Sequence, residues 1–120
     1  EIIDRKYPEY SASFDKCMKH THMHAFNMFI MKKEKFNEYC SWLFDILFDV
    51  EEELKDKEYS AFHARYPGRV SELLLDVWLE KNNYSYKELP FIYMEKINYY
   101  AKVTGFLKAK FFKKKYEGSF

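Results

Sequence analysis

The residues from His24 to Lys33, HAFNMFIMKK, decide the fold that this sequence predicts. Every side chain from Ala25 to Met31 is apolar except one amide, Asn27. Such a short apolar run, bounded by polar residues, favours a β-strand over residues 24–31. A buried amide without hydrogen-bond partners costs about 1–3 kcal/mol, so we expect the fold to provide partners for Asn27.

A long amphipathic helix is predicted directly after this strand. Over residues 33–55, apolar side chains recur at spacings of three and four, as one face of a helix requires. Three further aromatic residues lie outside that stripe: Trp42, Phe44 and Phe48. We therefore expect the helix to be covered on two sides. Together with Trp78, these three are candidates for a sugar-stacking platform, although aromatic residues at helical spacing more often belong to a core.

The remaining pattern predicts alternating elements. A first helix begins near Pro8 and ends near residue 19, since proline suits the first turn of a helix. Pro67 and Gly68 predict a turn, followed by a helix capped near Ser71 that ends at residues 81–83. Residues 89–94 predict a second strand, and residues 96–115 a last helix. The expected class is therefore α+β, dominated by about four helices, with two or three short strands.

Composition indicates one small domain. The chain has 120 residues and a formal net charge of +1, so it is not a general polyanion binder. Aromatic residues make up 21% of it, more than a small core easily encloses. We therefore expect exposed apolar surface and self-association, as a dimer through the strand 24–31 or the aromatic helices. Cys17 and Cys40 lie in apolar helical contexts and are expected to be free thiols. No apolar run approaches the ~20 residues that span a membrane.

Several runs together resemble a DUF4422-like family of bacterial glycosyltransferases of capsule and exopolysaccharide synthesis. The two most specific are Asn-Met-Phe-Ile-Met at 27–31 and Tyr-Cys-x-Trp-Leu-Phe at 39–44. The similarity resumes at Arg65 and Gly68, at residues 71–72 and 74–79, at 87–90, and in the basic tail at 107–112. Two positions depart from the family pattern: Leu73 replaces the usual arginine, and Asp76 replaces the usual asparagine.

The resemblance implies the acceptor-side, C-terminal part of a GT-A-like glycosyltransferase. Such an enzyme moves a sugar from a nucleotide donor to a surface polysaccharide or lipid-linked glycan. Its nucleotide-binding half carries an Asp-x-Asp motif for Mn²⁺ or Mg²⁺, and this sequence has neither that motif nor a glycine-rich phosphate loop. The chain is thus expected to be a single-domain fragment that is inactive alone and binds no metal or nucleotide sugar. The missing half would be its partner.

Five polar residues are the candidates for the acceptor site. Asn27 lies on the strand that lines the cleft of the resembled fold, or it braces a neighbouring loop. Glu72 follows Ser71 at a predicted helix start, where the helix dipole favours a carboxylate; the functional alternative is a general base for an inverting transfer. Arg65 and Arg69 are positioned to hold a pyrophosphate or an anionic sugar, or they are ordinary surface arginines.

Three histidines alternate at His20, His22 and His24. On a strand, alternate side chains share one face, and imidazole is a common zinc ligand. No fourth ligand is apparent, so a solvated loop with incidental histidines is the simpler interpretation. A narrower hypothesis, implied by the resemblance, lets His24 reach the divalent metal held by the missing half.

The C-terminal residues 97–116 predict a basic amphipathic helix. Large apolar side chains alternate with lysines there, a pattern typical of helices that lie on anionic membranes; the alternative is a helix docked on the core with a solvated end. No nucleic-acid recognition motif is present. The membrane hypothesis places the protein at the inner face of the cell membrane. The predicted membrane-binding residues are Lys108, Lys110, Phe111, Phe112, Lys113, Lys114 and Lys115.

Two classes of function therefore stay open. The first is the glycosyltransferase part, with Asn27, Arg65, Ser71 and Glu72 near the cleft. The second is a non-enzymatic helical interaction module, such as a membrane-surface adaptor. The donor sugar, the linkage and the stereochemistry of transfer do not follow from the sequence.

Overall fold

The computed structural model describes residues 2–60, 63–90, 92, 94 and 98–112, and all regular structure in those residues is helical. They form two compact units, Glu1–Tyr86 and Lys87–Phe120. Among its described residues, the first contains four α-helices and two short 3₁₀ helices, Pro8–Tyr10 and His63–Arg65. The second contains one α-helix among its described residues. The α-helices are α1 (Ile2–Lys6), α2 (Ser11–Met18), α3 (Lys33–Leu54), α4 (Tyr66–Lys81) and α5 (Tyr99–Phe112).

The predicted strands, and with them the α+β class and the GT-A-like fold, are wrong for the described residues. Residues 24–31 were expected to be a strand because of their apolar run, and within its second half Phe29 and Met31 pack against the core while Met28 and Ile30 face solvent. The segment has no neighbouring strand to pair with in the described chain, so it runs as irregular extended backbone. The described residues of 89–94 are also outside any strand.

The backbone of this segment bends sharply in its first half. The amide of Ala25 donates to the carbonyl of Met23 at 3.0 Å, and that of Met28 donates to Phe26 at 2.6 Å. Each bond spans only two residues, which is the geometry of a γ-turn. Phe26 has a φ of 67°, in the left-handed region that costs a residue with a side chain roughly 1–2 kcal/mol. Two tight turns and one strained residue prevent a regular strand here.

Helices α3 and α4 form the core through facing apolar stripes. Tyr39 on α3 is fully buried, and its ring centroid lies 5.3 Å from that of Trp78 on α4. Residues 24–31, which we call the irregular segment, contribute Phe29 to the same cluster; its ring centroid lies 5.4 Å from that of Tyr39. Full burial of one such side chain contributes roughly 1.5–3 kcal/mol. The other buried apolar residues are Ile3, Tyr10, Trp42, Leu43, Ile46, Leu74, Leu75 and Val77.

The predicted helices are largely confirmed. The long helix was expected at 33–55 and extends over Lys33–Leu54, and α4 ends at Lys81 as expected. The start of α4 was wrong: it begins at Tyr66, so Pro67 and Gly68 lie in its first turn rather than in a loop. Both cysteines are free thiols, as predicted. None of the helices in the described residues has the length and apolar character needed to cross a membrane.

Trp42 and Trp78 belong to the core, but Phe44 and Phe48 do not. Both phenylalanines are exposed on α3, with ring centroids 6.1 Å apart. The expected second cover of α3 is therefore not seen within the described residues. Of the four aromatic residues considered as a sugar-stacking platform, two are therefore buried and two are exposed.

Helix α1 is held to α3 by a group of ion pairs. Lys6 Nζ lies 2.7 Å from Asp45 Oδ2, and the Tyr7 hydroxyl donates to the same carboxylate at 2.9 Å. Arg5 contacts Asp49 and Glu53, one and two turns further along α3, at 3.2 and 3.1 Å. Lys6 and then Tyr7 hold the pKa of Asp45 below its ordinary value.

Replacing Asp45 with Asn is expected to destabilise the protein only where the carboxylate is ionised. A lowered folded pKa means that the stabilisation is complete above the unfolded value of about 3.9 and disappears as the pH falls through the folded pKa. Thermal unfolding followed by circular dichroism should thus show a lower Tm for Asp45→Asn than for the native protein at neutral pH. In strong acid, the variant and the native protein should have equal Tm values. Asp56→Asn is the control, and a Tm difference that persists in acid would contradict the ion-pair explanation.

Candidate functional site

One face of α4 carries the polar residues around which the candidate site is built. Arg69, Glu72, Asp76 and Glu80 are spaced by three, four and four residues, so they lie along one side of the helix. We call these four residues the polar row. The buried residues of α4 lie on its opposite side, so the polar row faces the surface.

The irregular segment runs along this helix and is attached to it at two points. At the first, the backbone amide of His24 donates to Asp76 Oδ2 at 2.9 Å, and the His24 ring nitrogen Nδ1 bonds to Asp76 Oδ1. The His24 and Asp76 side chains are 30% and 19% exposed. The His24 ring also meets the Tyr86 ring edge to face, with centroids 4.8 Å apart.

The second attachment joins Asn27 to the first turns of α4. Ser71 Oγ lies 3.0 Å from Asn27 Oδ1 and 2.7 Å from the carbonyl oxygen of Gly68, and its single hydrogen donates to one of them. Asn27 Nδ2 donates to the same Gly68 carbonyl at 3.4 Å. The amide thus braces a neighbouring element, one of the two interpretations that the sequence left open. Ser71 is buried in this network, whereas Asn27 is exposed.

The other predicted acceptor residues, Arg65, Arg69 and Glu72, lie close to Ser71 along the chain. Glu72 follows Ser71, is half-buried, and makes no hydrogen bond or ion pair to other described residues. Arg65 ends the 3₁₀ helix just before α4 and is exposed, and Arg69 is exposed in the first turn of α4. The structure therefore brings Asn27 and Ser71 together and leaves Glu72 on the polar row beside them.

A cleft of about 140 Å³ adjoins the C-terminal half of the polar row. Helix α2 contributes Cys17, and α4 contributes Asp76, Leu79 and Glu80. The thiol of Cys17 has a raised pKa, first because it is partly buried and then because the carboxylates of Asp76 and Glu80 are near. The remaining lining residues are His20, His22, His24, Asn83, Tyr84 and Tyr86.

The three histidines do not assemble as a metal site. His20 and His22 stack on each other, with ring centroids 5.3 Å apart, whereas His24 turns to Asp76. Among the described residues, no group of three or more His, Cys, Asp or Glu side chains is placed to hold a metal ion.

The predicted membrane residues belong to the second compact unit. Lys108, Lys110 and Phe111 are exposed on α5. Phe112 ends that helix, and its side chain is outside the description. Lys113, Lys114 and Lys115 lie beyond the described residues.

Sequence reasoning missed the cleft and the part that Asp76 plays in it. The available signal was the spacing of Glu72, Asp76 and Glu80, which places three carboxylates on one helix face. Their relation to His24 was not accessible from sequence, because 52 residues separate His24 from Asp76.

Comparison with known families places the chain in one of them. The model of the family described as "Domain of unknown function (DUF4422)" matches residues 1–83, and the chain belongs to this family. The match covers the first compact unit almost entirely, including the polar row, the irregular segment and most of the cleft. No curated protein and no solved structure matches the chain.

Loss of either partner in the Asn27–Ser71 network is expected to destabilise the protein. Ser71→Ala and Asn27→Ala should each lower the free energy of unfolding by about 1 kcal/mol, because each removes hydrogen bonds of this network. In urea unfolding the double variant should lose less than the sum of the single losses, since both changes remove the same bond. Ser41→Ala, at an exposed position of α3, is the control. Strictly additive losses would contradict the network.

Proposed function

We propose that this chain is the acceptor-binding part of a glycosyltransferase that adds a sugar to a surface polysaccharide or a lipid-linked glycan. Membership of the DUF4422 family, whose proteins are glycosyltransferase-like, supports the general class. The observation that carries the finer proposal is the cleft at the end of the polar row, because its side chains are suited to a sugar.

Sugar recognition needs hydrogen-bonding groups beside aromatic surfaces. Asp76 and Glu80 offer carboxylate acceptors to sugar hydroxyls, and Asn83 both donates and accepts. Tyr84 and Tyr86 offer ring faces and hydroxyl groups. A cavity of roughly 150 Å³ accommodates benzene, so the 140 Å³ of this cleft suits a single six-membered ring.

Glu72 is the proposed general base. Glu72 lies on the polar row one helical turn before Asp76. An acceptor glycan bound in the cleft would therefore extend along the row past Glu72. An inverting transfer requires a carboxylate that takes the proton from the attacking hydroxyl, whereas a retaining transfer does not need one in this role. Arg65 and Arg69, near the start of α4, are the proposed contacts for an anionic part of the substrates.

His24 is proposed to position Asp76 through its two bonds to that carboxylate. The hypothesis that His24 also reaches a Mn²⁺ or Mg²⁺ ion held elsewhere in the enzyme stays a prediction. The described residues hold no metal site of their own, and no step of this proposal depends on a metal.

Titration with simple sugars tests the cleft directly. Hexoses added to the ¹⁵N-labelled chain should shift the amide signals of His22, Asp76 and Tyr86 with weak, saturable affinity. Tyr86→Ala should weaken the binding about tenfold, as loss of a ring contact worth about 1 kcal/mol implies. Tyr59→Ala, far along the sequence from any lining residue, is the matched control. Shifts confined to other surfaces would contradict an acceptor site here.

Enzyme kinetics test the proposed role of Glu72 as the general base. In the glycosyltransferase that carries this chain, Glu72→Gln is expected to reduce turnover about 10²-fold or more, the usual contribution of a general base. Thermal stability should stay nearly unchanged, because Glu72 has no bond to other described residues. An unchanged turnover would reduce Glu72 to a charge near the start of a helix.

A second candidate function is attachment to a membrane surface through α5. Tyr99, Val103, Phe106, Leu107 and Phe111 are exposed on this helix within a unit that has no other described helix. By helical position they occupy about one side, and Lys110 falls among them. Apolar burial combined with lysine charge is the chemistry of an interfacial helix.

Vesicle sedimentation tests this attachment. The chain should bind anionic vesicles more strongly than neutral ones, because each lysine near an anionic surface contributes about 1 kcal/mol. Replacing Lys113, Lys114 and Lys115 together with Glu should abolish the preference, and Lys19→Glu is the control. High salt should weaken the binding through screening. Equal binding to neutral and anionic vesicles would leave α5 as an ordinary helix.

A further inference from the structure

Helix α3 carries an exposed stripe that the glycosyltransferase proposal does not use. Phe36, Phe44 and Phe48 are 45%, 50% and 64% exposed, and half-buried Cys40 lies between them. They succeed one another every four residues, so they form one continuous apolar line along the helix. None of them lines the cleft. We call residues 33, 36, 40, 44, 48 and 51 the α3 stripe.

The charged ends of the α3 stripe have opposite signs. Lys33 lies three residues before Phe36, and Glu51 lies three residues after Phe48. Both are exposed, and neither forms an ion pair with another described residue. By helical rotation they fall on the same side as the aromatic residues, since 33, 40, 44 and 51 repeat at seven, four and seven positions.

The spacing of the α3 stripe reads the same in both directions. From Lys33 to Glu51 the intervals are three, four, four, four and three residues, centred on position 42. A second copy of α3 lying antiparallel across this centre therefore places Phe36 opposite Phe48 and Cys40 opposite Phe44. The same register places Lys33 of each protomer opposite Glu51 of its partner. A parallel arrangement would instead bring the two Lys33 side chains together.

We propose that the α3 stripe is the interface of a two-fold symmetric homodimer with antiparallel α3 helices. A two-fold interface must be complementary to itself, and this stripe meets that condition in both apolar pattern and charge. Aromatic side chains bury about 150–250 Å² each, so six phenylalanines supply a substantial apolar contact. The lysine–glutamate pairs at the rim set the direction and register of the helices. The cleft is lined by residues outside the stripe.

Sedimentation of the 120-residue chain at micromolar concentration tests the interface. The native chain should be a dimer, and Phe44→Ser combined with Phe48→Ser should give a monomer with unchanged helix content. Phe106→Ser combined with Phe111→Ser, on α5, is the matched control and should leave the dimer intact. A native monomer, as expected if another segment covers the stripe, would overturn the proposal. So would a dimer that survives loss of Phe44 and Phe48.

Charge exchange tests the antiparallel register. Lys33→Glu alone, or Glu51→Lys alone, should raise the dimer dissociation constant about tenfold, because each change turns two symmetry-related attractions into repulsions. The variant that carries both changes should regain native affinity, since opposite charges then face each other again at both ends of the interface. Lys19→Glu is the charge control. Single variants with native affinity, or a double variant weaker than either single one, would overturn this register.

Discussion

The first compact unit depends on the burial of Tyr39 between α3 and α4. Its ring is inaccessible to solvent and meets three other aromatic rings, those of Phe29, Trp42 and Trp78, at centroid distances of 5.4, 6.3 and 5.3 Å. Burial also raises the pKa of its hydroxyl, which donates to the carbonyl of Ser71 at 3.5 Å. This packing sets the rotation of α4 about its axis. The polar row faces outward because the apolar side of α4 must face Tyr39 and its neighbours.

The irregular segment adds the second constraint. Phe29 anchors its end in the aromatic core, and His24 and Asn27 bond to two separate turns of α4. The strained φ of Phe26 lies between these two attachments. Strained backbone persists only where surrounding contacts hold it, and it is frequent at functional sites. The segment therefore has two roles: it holds Asp76 beside the cleft, and it is bonded to the first turns of α4 through Asn27.

The sequence predicted the elements whose signal is local. Helix α3 has 22 residues with a sustained helical period, and both the helix and its end were predicted closely. Residues 24–31 were misjudged because a short apolar run is common to a buried strand and to an unpaired segment that packs against a core, and only the presence of a partner strand distinguishes them. The start of α4 was misjudged because proline and glycine mark turns and are also tolerated in a first helical turn. Asn27 and Ser71 were each identified, but their contact spans 44 residues and depends on the packing of α3 against α4.

The attachment of the irregular segment to α4 is tested most directly by an NMR structure of residues 20–31 in the full chain. We expect chemical shifts without strand character and a positive φ at Phe26. We also expect nuclear Overhauser contacts from His24 to Asp76 and from Asn27 to Ser71. Strand-like shifts over residues 24–31, with contacts to a second strand and none to α4, would contradict this arrangement.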